Sequence, residues 1–280
     1  MTTGVPLAPR DRGDTVTAND FRRMKREGRK IAVLTCYDFL FARLVSEAGI
    51  DAVLVGDSVG QLLLGYDSTL PVTMDDMIHH TAAVRRGLAG PMLIFDLPFM
   101  SYQTSTEDTL RNAGRAMKET GCEAVKLEGG DAAAVSRVRA LASAGIPVMG
   151  HLGLTPQAVH RIGGYRVTAR EEDEARTLAE QARALEDAGC FGIVLELVPA
   201  PLAARVSASL DIPTIGIGAG PDCDGQVLVL HDMLGLNQGF EPRFLRRFAE
   251  LGAEALEAMK AYAEAVREGS YPAESESYEG

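Results

Sequence analysis

Short apolar runs rich in β-branched residues recur eight times along this chain, over residues 31–37, 52–56, 92–97, 124–127, 147–150, 192–197, 213–217 and 226–230. Several of them end in charge: Val55-Gly56-Asp57-Ser58, Ile94-Phe95-Asp96, Lys126-Leu127-Glu128 and Leu195-Glu196. A strand covered on both faces gains by being apolar throughout. A charge at its C-terminal end is tolerated where the strand meets solvent at a rim, or is kept there for a purpose at some loss of stability. Parallel strands that deliver reactive groups to one end of a barrel produce this pattern.

Between most of the runs lie stretches with helical spacing. Ala175, Leu178, Ala182 and Leu185 keep one apolar face behind the acidic start Glu171-Glu172-Asp173-Glu174, which suits a helix N-terminus. A weak internal repeat marks the return to the sheet: Glu47-Ala48-Gly49, Glu119-Thr120-Gly121, Ser143-Ala144-Gly145 and Asp187-Ala188-Gly189 each precede a run, with Gly as the left-handed stop of a helix. Strand, helix, strand in repetition implies right-handed parallel units. An open doubly wound sheet would place ligands in a single crevice, whereas functional-looking residues end runs two through six, so the fold expected is α/β, a closed (β/α)8 TIM barrel. Residues 17–25 read as a capped helix closing the bottom of the barrel. From Pro242 onward, Phe244, Leu245, Phe248, Leu251 and Leu256 predict C-terminal helices whose apolar faces a partner subunit or the barrel itself must cover.

A length of 280 residues suits one such barrel, expected over 17–268 between a flexible segment at 1–16 and an acidic, frayed tail at 269–280. Asp and Glu outnumber Lys and Arg by 39 to 28, a net charge of −11 that repels phosphate backbones and anionic membrane surfaces. With 6% aromatic residues and no Trp, a stacking platform for nucleic acid is also excluded, and no run reaches the length of a membrane span. The four cysteines, Cys36, Cys122, Cys190 and Cys223, form no C-x-x-C pair and are expected as buried thiols of a cytoplasmic protein; residues 1–14 lack the apolar core of a secretory signal.

Asp57, Asp96 and Glu128 stand at neighbouring run ends, and a small set of hard oxygen ligands describes a Mg2+ site better than zinc. Taken singly, each carboxylate also fits a cap or an ion pair. Lys126 and Glu128 alternate to the same side of a strand. Glu196, in an apolar setting, reads as a general base or as the partner of Lys126 or of an arginine across the barrel. His151, in Gly150-His151-Leu152-Gly153, reads as a donor to substrate or as a structural group, and His79 and His80 as helix-surface or subunit-contact residues. Gly216-Ile217-Gly218-Ala219-Gly220 offers backbone N–H groups where many barrels bind phosphate, or permits a tight turn; Asp222, Asp224 and Gln226 either order that loop or are plain turn residues.

At these residues the chain resembles the ketopantoate hydroxymethyltransferase family. The likeness runs from about Thr17 to Leu236. It is carried by Val55-Gly56-Asp57-Ser58, Asp67-Ser68-Thr69-Leu70-Pro71-Val72-Thr73, His80-Thr81-Ala82-Ala83-Val84-Arg85-Arg86-Gly87, Asp96-Leu97-Pro98-Phe99-Met100, Val125-Lys126-Leu127-Glu128-Gly129-Gly130, Gly150-His151-Leu152-Gly153-Leu154-Thr155-Pro156-Gln157 and the Gly216–Gly220 run. The resemblance implies Mg2+-dependent transfer of a one-carbon unit from 5,10-methylenetetrahydrofolate to 3-methyl-2-oxobutanoate, giving 2-dehydropantoate in pantothenate synthesis. It implies Asp57, Asp96 and Glu128 around the metal, Asp57, Ser58, Asp96 and Lys126 on the keto acid, Glu196 as proton acceptor, and a homo-oligomer, usually decameric. The competing readings are a metal-dependent α-keto-acid lyase or mutase of the isocitrate lyase and phosphoenolpyruvate mutase group, and a non-catalytic ligand-binding barrel.

Overall fold

The computed structural model describes residues 15–164 and 166–278. Eight parallel strands close on themselves in sequence order: Ile31–Thr35 (β1), Ala52–Val55 (β2), Met92–Asp96 (β3), Ala124–Lys126 (β4), Val148–Gly153 (β5), Gly192–Glu196 (β6), Thr214–Ile217 (β7) and Gly225–Leu228 (β8), with β8 pairing back onto β1. All eight predicted runs are strands, and helices such as Phe39–Glu47, Met74–Gly87, Thr106–Thr120, Ala132–Ser143 and Glu172–Ala188 lie between them. This is the (β/α)8 barrel that the pattern predicts.

Most strand bounds shift by one residue and three ends shift further, with β8 stopping at Leu228, two residues short of the predicted run. β1 stops at Thr35 although apolar character runs on to Tyr37. β5 continues past Gly150 to Gly153, because β6 extends beside it and pairs His151 with Val194, Leu152 with Leu195 and Gly153 with Glu196. Glycine weakens a strand interior, and the neighbouring ladder outweighs that cost at Gly150 and Gly153.

Alternation along the strands sorts the core into two apolar clusters. Val53, Val55, Leu93, Phe95, Val125, Ile193 and Leu195 pack outward with the helices. Ile31, Val33, Leu54, Met92, Ile94, Ala124, Met149, Val194, Ile215 and Val227 fill the barrel interior, joined by Phe21 and Met24 of the helix Ala18–Arg26. That helix starts at Thr17, whose hydroxyl oxygen accepts from the Asp20 N–H while the Asp20 carboxylate accepts from the Thr17 N–H, a reciprocal cap. Phe21 meets Phe191 edge-on at 5.4 Å, so the helix closes the barrel as expected.

The repeated Gly positions behave as helix stops: Gly49, Gly121, Gly145 and Gly189 have φ of 73°, 71°, 80° and 109°. All four cysteines are free and buried. Within the Gly216–Gly220 run, Gly216 and Ile217 end β7 and residues 218–220 make the tight turn that follows. Gly220 has φ 83°, a Cβ there would stand 2.4 Å from the Ala200 Cβ, and Gln226 Nε2 donates to the Gly220 carbonyl at 2.9 Å. Asp224 is structural, accepting from Lys25 Nζ at 2.9 Å and from the Thr214 N–H at 2.8 Å.

Residues 229–278 form a second compact unit. Its long helix is Leu251–Glu268, and residues 242–250 are not helical as predicted. The Phe248 N–H donates to the Met233 carbonyl at 2.7 Å and the Leu251 N–H to the Leu234 carbonyl at 2.9 Å, taking backbone donors that a helix would use. No residue of the helix Leu251–Glu268 is buried. The tail holds one 310 turn, Glu274–Glu276. The flexible segment expected over 1–16 lies, apart from Thr15 and Val16, outside the described residues. No helix among the described residues is long and apolar enough to cross a membrane.

Candidate active site

The period of two that fills the barrel also aims its charges. Ile94, Ala124, Met149 and Val194 pack in the interior, and two residues further along the same strands stand Asp96, Lys126, His151 and Glu196. Side chains two apart share a face, so these four enter the C-terminal end of the barrel above the apolar fill. Glu128 follows Lys126 by two and keeps its direction. Asp57 arrives from beyond β2 across Gly56, where a Cβ would stand 2.9 Å from Ser58 Oγ and 3.8 Å from Asp96 Oδ2.

The groups touch in sequence. The Asp57 N–H donates to Asp96 Oδ2 at 3.4 Å, Lys126 Nζ donates to Asp96 Oδ1 at 2.6 Å, and Lys126 Nζ stands 3.9 Å from Glu128 Oε1. His151 spans two carboxylates, with Nδ1 3.4 Å from Glu128 Oε1 and Nε2 3.2 Å from Glu196 Oε2. Neither imidazole contact has the alignment of a hydrogen bond, so both act as charge contacts. Glu196 therefore pairs with His151, not with Lys126 or an arginine. Its side chain is 18% exposed, against 2% to 4% for Lys126, Asp96, Glu128 and His151, which makes it the carboxylate of this cluster that opens to solvent. Ser58 Oγ lies 2.8 Å from the Tyr37 hydroxyl.

Burial sets the electrostatics. Asp57 is pushed well above the usual carboxylate range by burial first, then by the charges of Asp96 and Glu128. Asp96 is also raised, because burial outweighs the pull of Lys126. Burial opposes the Lys126 charge, but Asp96, Glu128 and Asp57 together hold its pKa above the ordinary lysine range. Burial raises Glu128, yet His151, Lys126 and the Gln157 N–H bring it below its ordinary value. For His151, burial and Lys126 push down while Glu128 and Glu196 prevail, lifting it to about 9, so the ring is an imidazolium at neutral pH. Asp57 and Asp96 are thus raised mainly by burial, reinforced by the negative charge of Glu128, and a divalent cation beside them would favour their ionised forms.

The donor set fits such an ion. Mg2+ keeps several waters and takes one or two carboxylates plus substrate oxygens, and adjacent Asp57 and Asp96 supply two. Among the described residues no three acidic, imidazole or thiol groups form a ready three-ligand cage. Glu128 is engaged elsewhere, with Oε2 accepting from the Gln157 N–H at 3.1 Å and Oε1 directed at Lys126 and His151.

Two residues at the site carry no assignment from sequence reasoning. Gln157 donates from Nε2 to Asp57 Oδ2 at 3.0 Å, and the buried Tyr102 hydroxyl accepts from the Glu128 N–H at 3.1 Å. Neither ends a strand, so the search for charged strand ends passes over them; Gln157 lies inside a resemblance motif, which was the one available signal. Of the histidine pair, His79 is exposed and His80 contacts the Tyr37 carbonyl through Nδ1 at 2.8 Å.

A family model described as ketopantoate hydroxymethyltransferase matches residues 15–274. The chain belongs to the ketopantoate hydroxymethyltransferase family. It is 54% identical over 267 residues to the 3-methyl-2-oxobutanoate hydroxymethyltransferase of Chlorobaculum parvum, covering 94% of this chain and 96% of that protein. It is 50% identical to the one of Syntrophus aciditrophicus, covering 97% and 100%. Family membership makes it an enzyme of the transferase class. Among solved structures, phosphonopyruvate hydrolase in complex with oxalate and Mg2+ superposes with a TM-score of 0.61 at 13% identity, covering 93% of each chain. A 2,3-dimethylmalate lyase of the phosphoenolpyruvate mutase and isocitrate lyase superfamily superposes with 0.59 at 18%, covering 91% and 89%. These structural likenesses establish a shared barrel.

Proposed function

We propose that this chain transfers a hydroxymethyl unit from 5,10-methylenetetrahydrofolate to 3-methyl-2-oxobutanoate, forming 2-dehydropantoate and tetrahydrofolate with the uptake of one water. What supports the reading, beside the family, is the unbroken series of contacts from Asp57 through Asp96, Lys126, Glu128 and His151 to Glu196, buried at the cation end and open at the carboxylate end.

The difficulty of the reaction explains that layout. A C–H beside a ketone has a pKa on the order of 20 and an ordinary glutamate about 4.3, a gap of roughly 20 kcal/mol at about 1.36 kcal/mol per unit. A base alone does not bridge it, so positive charge must face the oxygens on which negative charge develops. Asp57 and Asp96 would hold a Mg2+ ion, which when bound supplies that charge to the keto and carboxylate oxygens of the acid. Lys126, held by Asp96, keeps a fixed ammonium beside the same carboxylates and offers it to the substrate carboxylate. Water cleaves both C–N bonds of the folate methylene, releasing that carbon as formaldehyde with tetrahydrofolate; Glu196 takes the C3 proton, the electron pair left on C3 attacks the formaldehyde carbon, and its oxygen, which came from the water, takes up a proton to become the hydroxyl. His151 directs Glu196 by standing between it and Glu128. Ser58 is placed to bind the keto acid beside Asp57.

The lyase or mutase alternative rests on fold likeness at 13% to 18% identity, and nothing at the site favours it. A cytoplasmic homo-oligomer, a decamer by family resemblance, is part of the proposal. The test is incubation with both substrates and Mg2+, with and without chelator, and detection of the hydroxymethylated acid by mass spectrometry. Turnover abolished by chelator and restored by Mg2+ is expected; turnover insensitive to chelator overturns the metal role, and no product overturns the reading.

A further inference from the structure

Gln157 sits in the 310 turn Pro156–Ala158, buried, and the reaction as proposed makes no use of it. Its side chain is saturated with hydrogen bonds. Nε2 donates to Asp57 Oδ2 at 3.0 Å and to the Leu97 carbonyl at 2.9 Å, while Oε1 accepts from the Tyr102 hydroxyl at 2.8 Å and from Gln103 Nε2 at 3.0 Å. A carboxylate and a carbonyl can only accept here, so the amide has one orientation that satisfies its neighbours. The backbone N–H of the same residue donates to Glu128 Oε2 at 3.1 Å, and Tyr102 completes the connection by accepting from the Glu128 N–H at 3.1 Å. One residue thus grips two acidic groups that the chain separates widely.

The grip is made without charge. A lysine or arginine in this place would cancel the negative charge of Asp57, as Lys126 already does in part for Asp96, and would weaken the attraction for a cation. An amide fixes the direction of a carboxylate and leaves its charge available. Partners of this kind behind ligating carboxylates hold them in place and tune affinity. We infer that Gln157 is a positioning residue that holds Asp57 in place for a divalent cation and keeps Glu128 turned to Lys126 and His151, with Tyr102 bracing its carboxamide. The inference rests on the metal role proposed above and assigns to this residue the geometry of that site.

The experiment titrates Mn2+, a paramagnetic stand-in for Mg2+, into the full chain without either substrate and reads free ion by electron paramagnetic resonance. The proteins are wild type, Asp96→Asn, Gln157→Met, which keeps length and loses every side-chain hydrogen bond, and Tyr102→Phe, which releases one end of the amide. Gln157→Met is expected to raise the Kd for Mn2+ about 10- to 100-fold, and Tyr102→Phe by a smaller factor. The ion concentration needed for half-maximal activity should rise in step, with kcat at saturating ion changed by less than about threefold. A purely structural role would lower the melting temperature and leave the Kd of the folded protein where it was. A folded Gln157→Met with Kd within about twofold of wild type overturns the inference. If that variant does not fold, Tyr102→Phe decides, and an unchanged Kd there overturns it equally. Equal binding by wild type and Asp96→Asn would instead overturn the metal role itself, a different signature that takes the inference with it.

Discussion

Glu196 shows how one residue is prepared by its surroundings. It ends a strand whose preceding residues are buried, has His151 at 3.2 Å, and keeps part of its side chain open where the other carboxylates are closed off. A proton acceptor needs reach to substrate, and this exposure supplies it. Glu196→Gln preserves shape and removes the base. The variant is expected to fold and to bind 3-methyl-2-oxobutanoate, but to lose exchange of the C3 proton with D2O as followed by proton NMR. A reduction of at least about 100-fold fits the range for general acid–base groups; exchange at the wild-type rate would assign the proton to another residue.

At the scale of elements, the base depends on contacts between β5 and β6. The Leu154 N–H donates to the Glu196 carbonyl at 2.8 Å, and Leu197 beside it has φ 47°, an uncommon backbone for a branched residue. Gly153 makes this approach possible: its φ is 93°, and a Cβ there would stand 2.2 Å from the Glu196 oxygen and 2.7 Å from Val198 Cγ2. Gly145 shares the positive φ, at 80°, with nothing within 4 Å of its virtual Cβ. The pair separates strain from displacement. Gly145→Ala should lower stability by roughly 1 kcal/mol and leave kcat unchanged, as backbone strain alone requires. Gly153→Ala should lower stability further and also reduce kcat at least about tenfold, since the carboxylate moves with its backbone. Equal kcat in the two variants, measured under saturating substrates, would show that the contact does not position Glu196.

Across the whole barrel, the thiols are placed for packing. Burial pushes Cys36 and Cys190 up to about 12 and Cys122 up to about 11, from an ordinary 9.0. A thiol kept neutral in the folded state but free to ionise when unfolded leaves stability unaffected below about pH 9 and lowers it as pH rises towards 12, because the unfolded chain then gives up protons that the folded one retains. The slope is at most about 1.4 kcal/mol per pH unit for each thiol. Urea midpoints from pH 8 to 11 for wild type and Cys190→Ala should therefore converge as pH rises; a constant gap would show that the thiol does not contribute to alkaline unfolding.

Much of this molecule was legible in one dimension. Eight apolar runs, helical spacing between them, glycine at the returns and charge at strand ends all follow from rules that act over a few residues, so the closed barrel and the cluster of Asp57, Asp96, Lys126, Glu128, His151 and Glu196 could be written down from the residues in order. Period-two alternation even aims the side chains, because a strand has no other way to point them. What only the tertiary structure decided is who partners whom. That Glu196 pairs with His151, that Glu128 turns to Lys126 and His151, and that Gln157 grips Asp57 across the barrel depend on chain segments far apart in sequence reaching one buried space. There, low dielectric and unmet hydrogen bonds make each polar group's partner a matter of close geometry, and residue order carries no record of that distance.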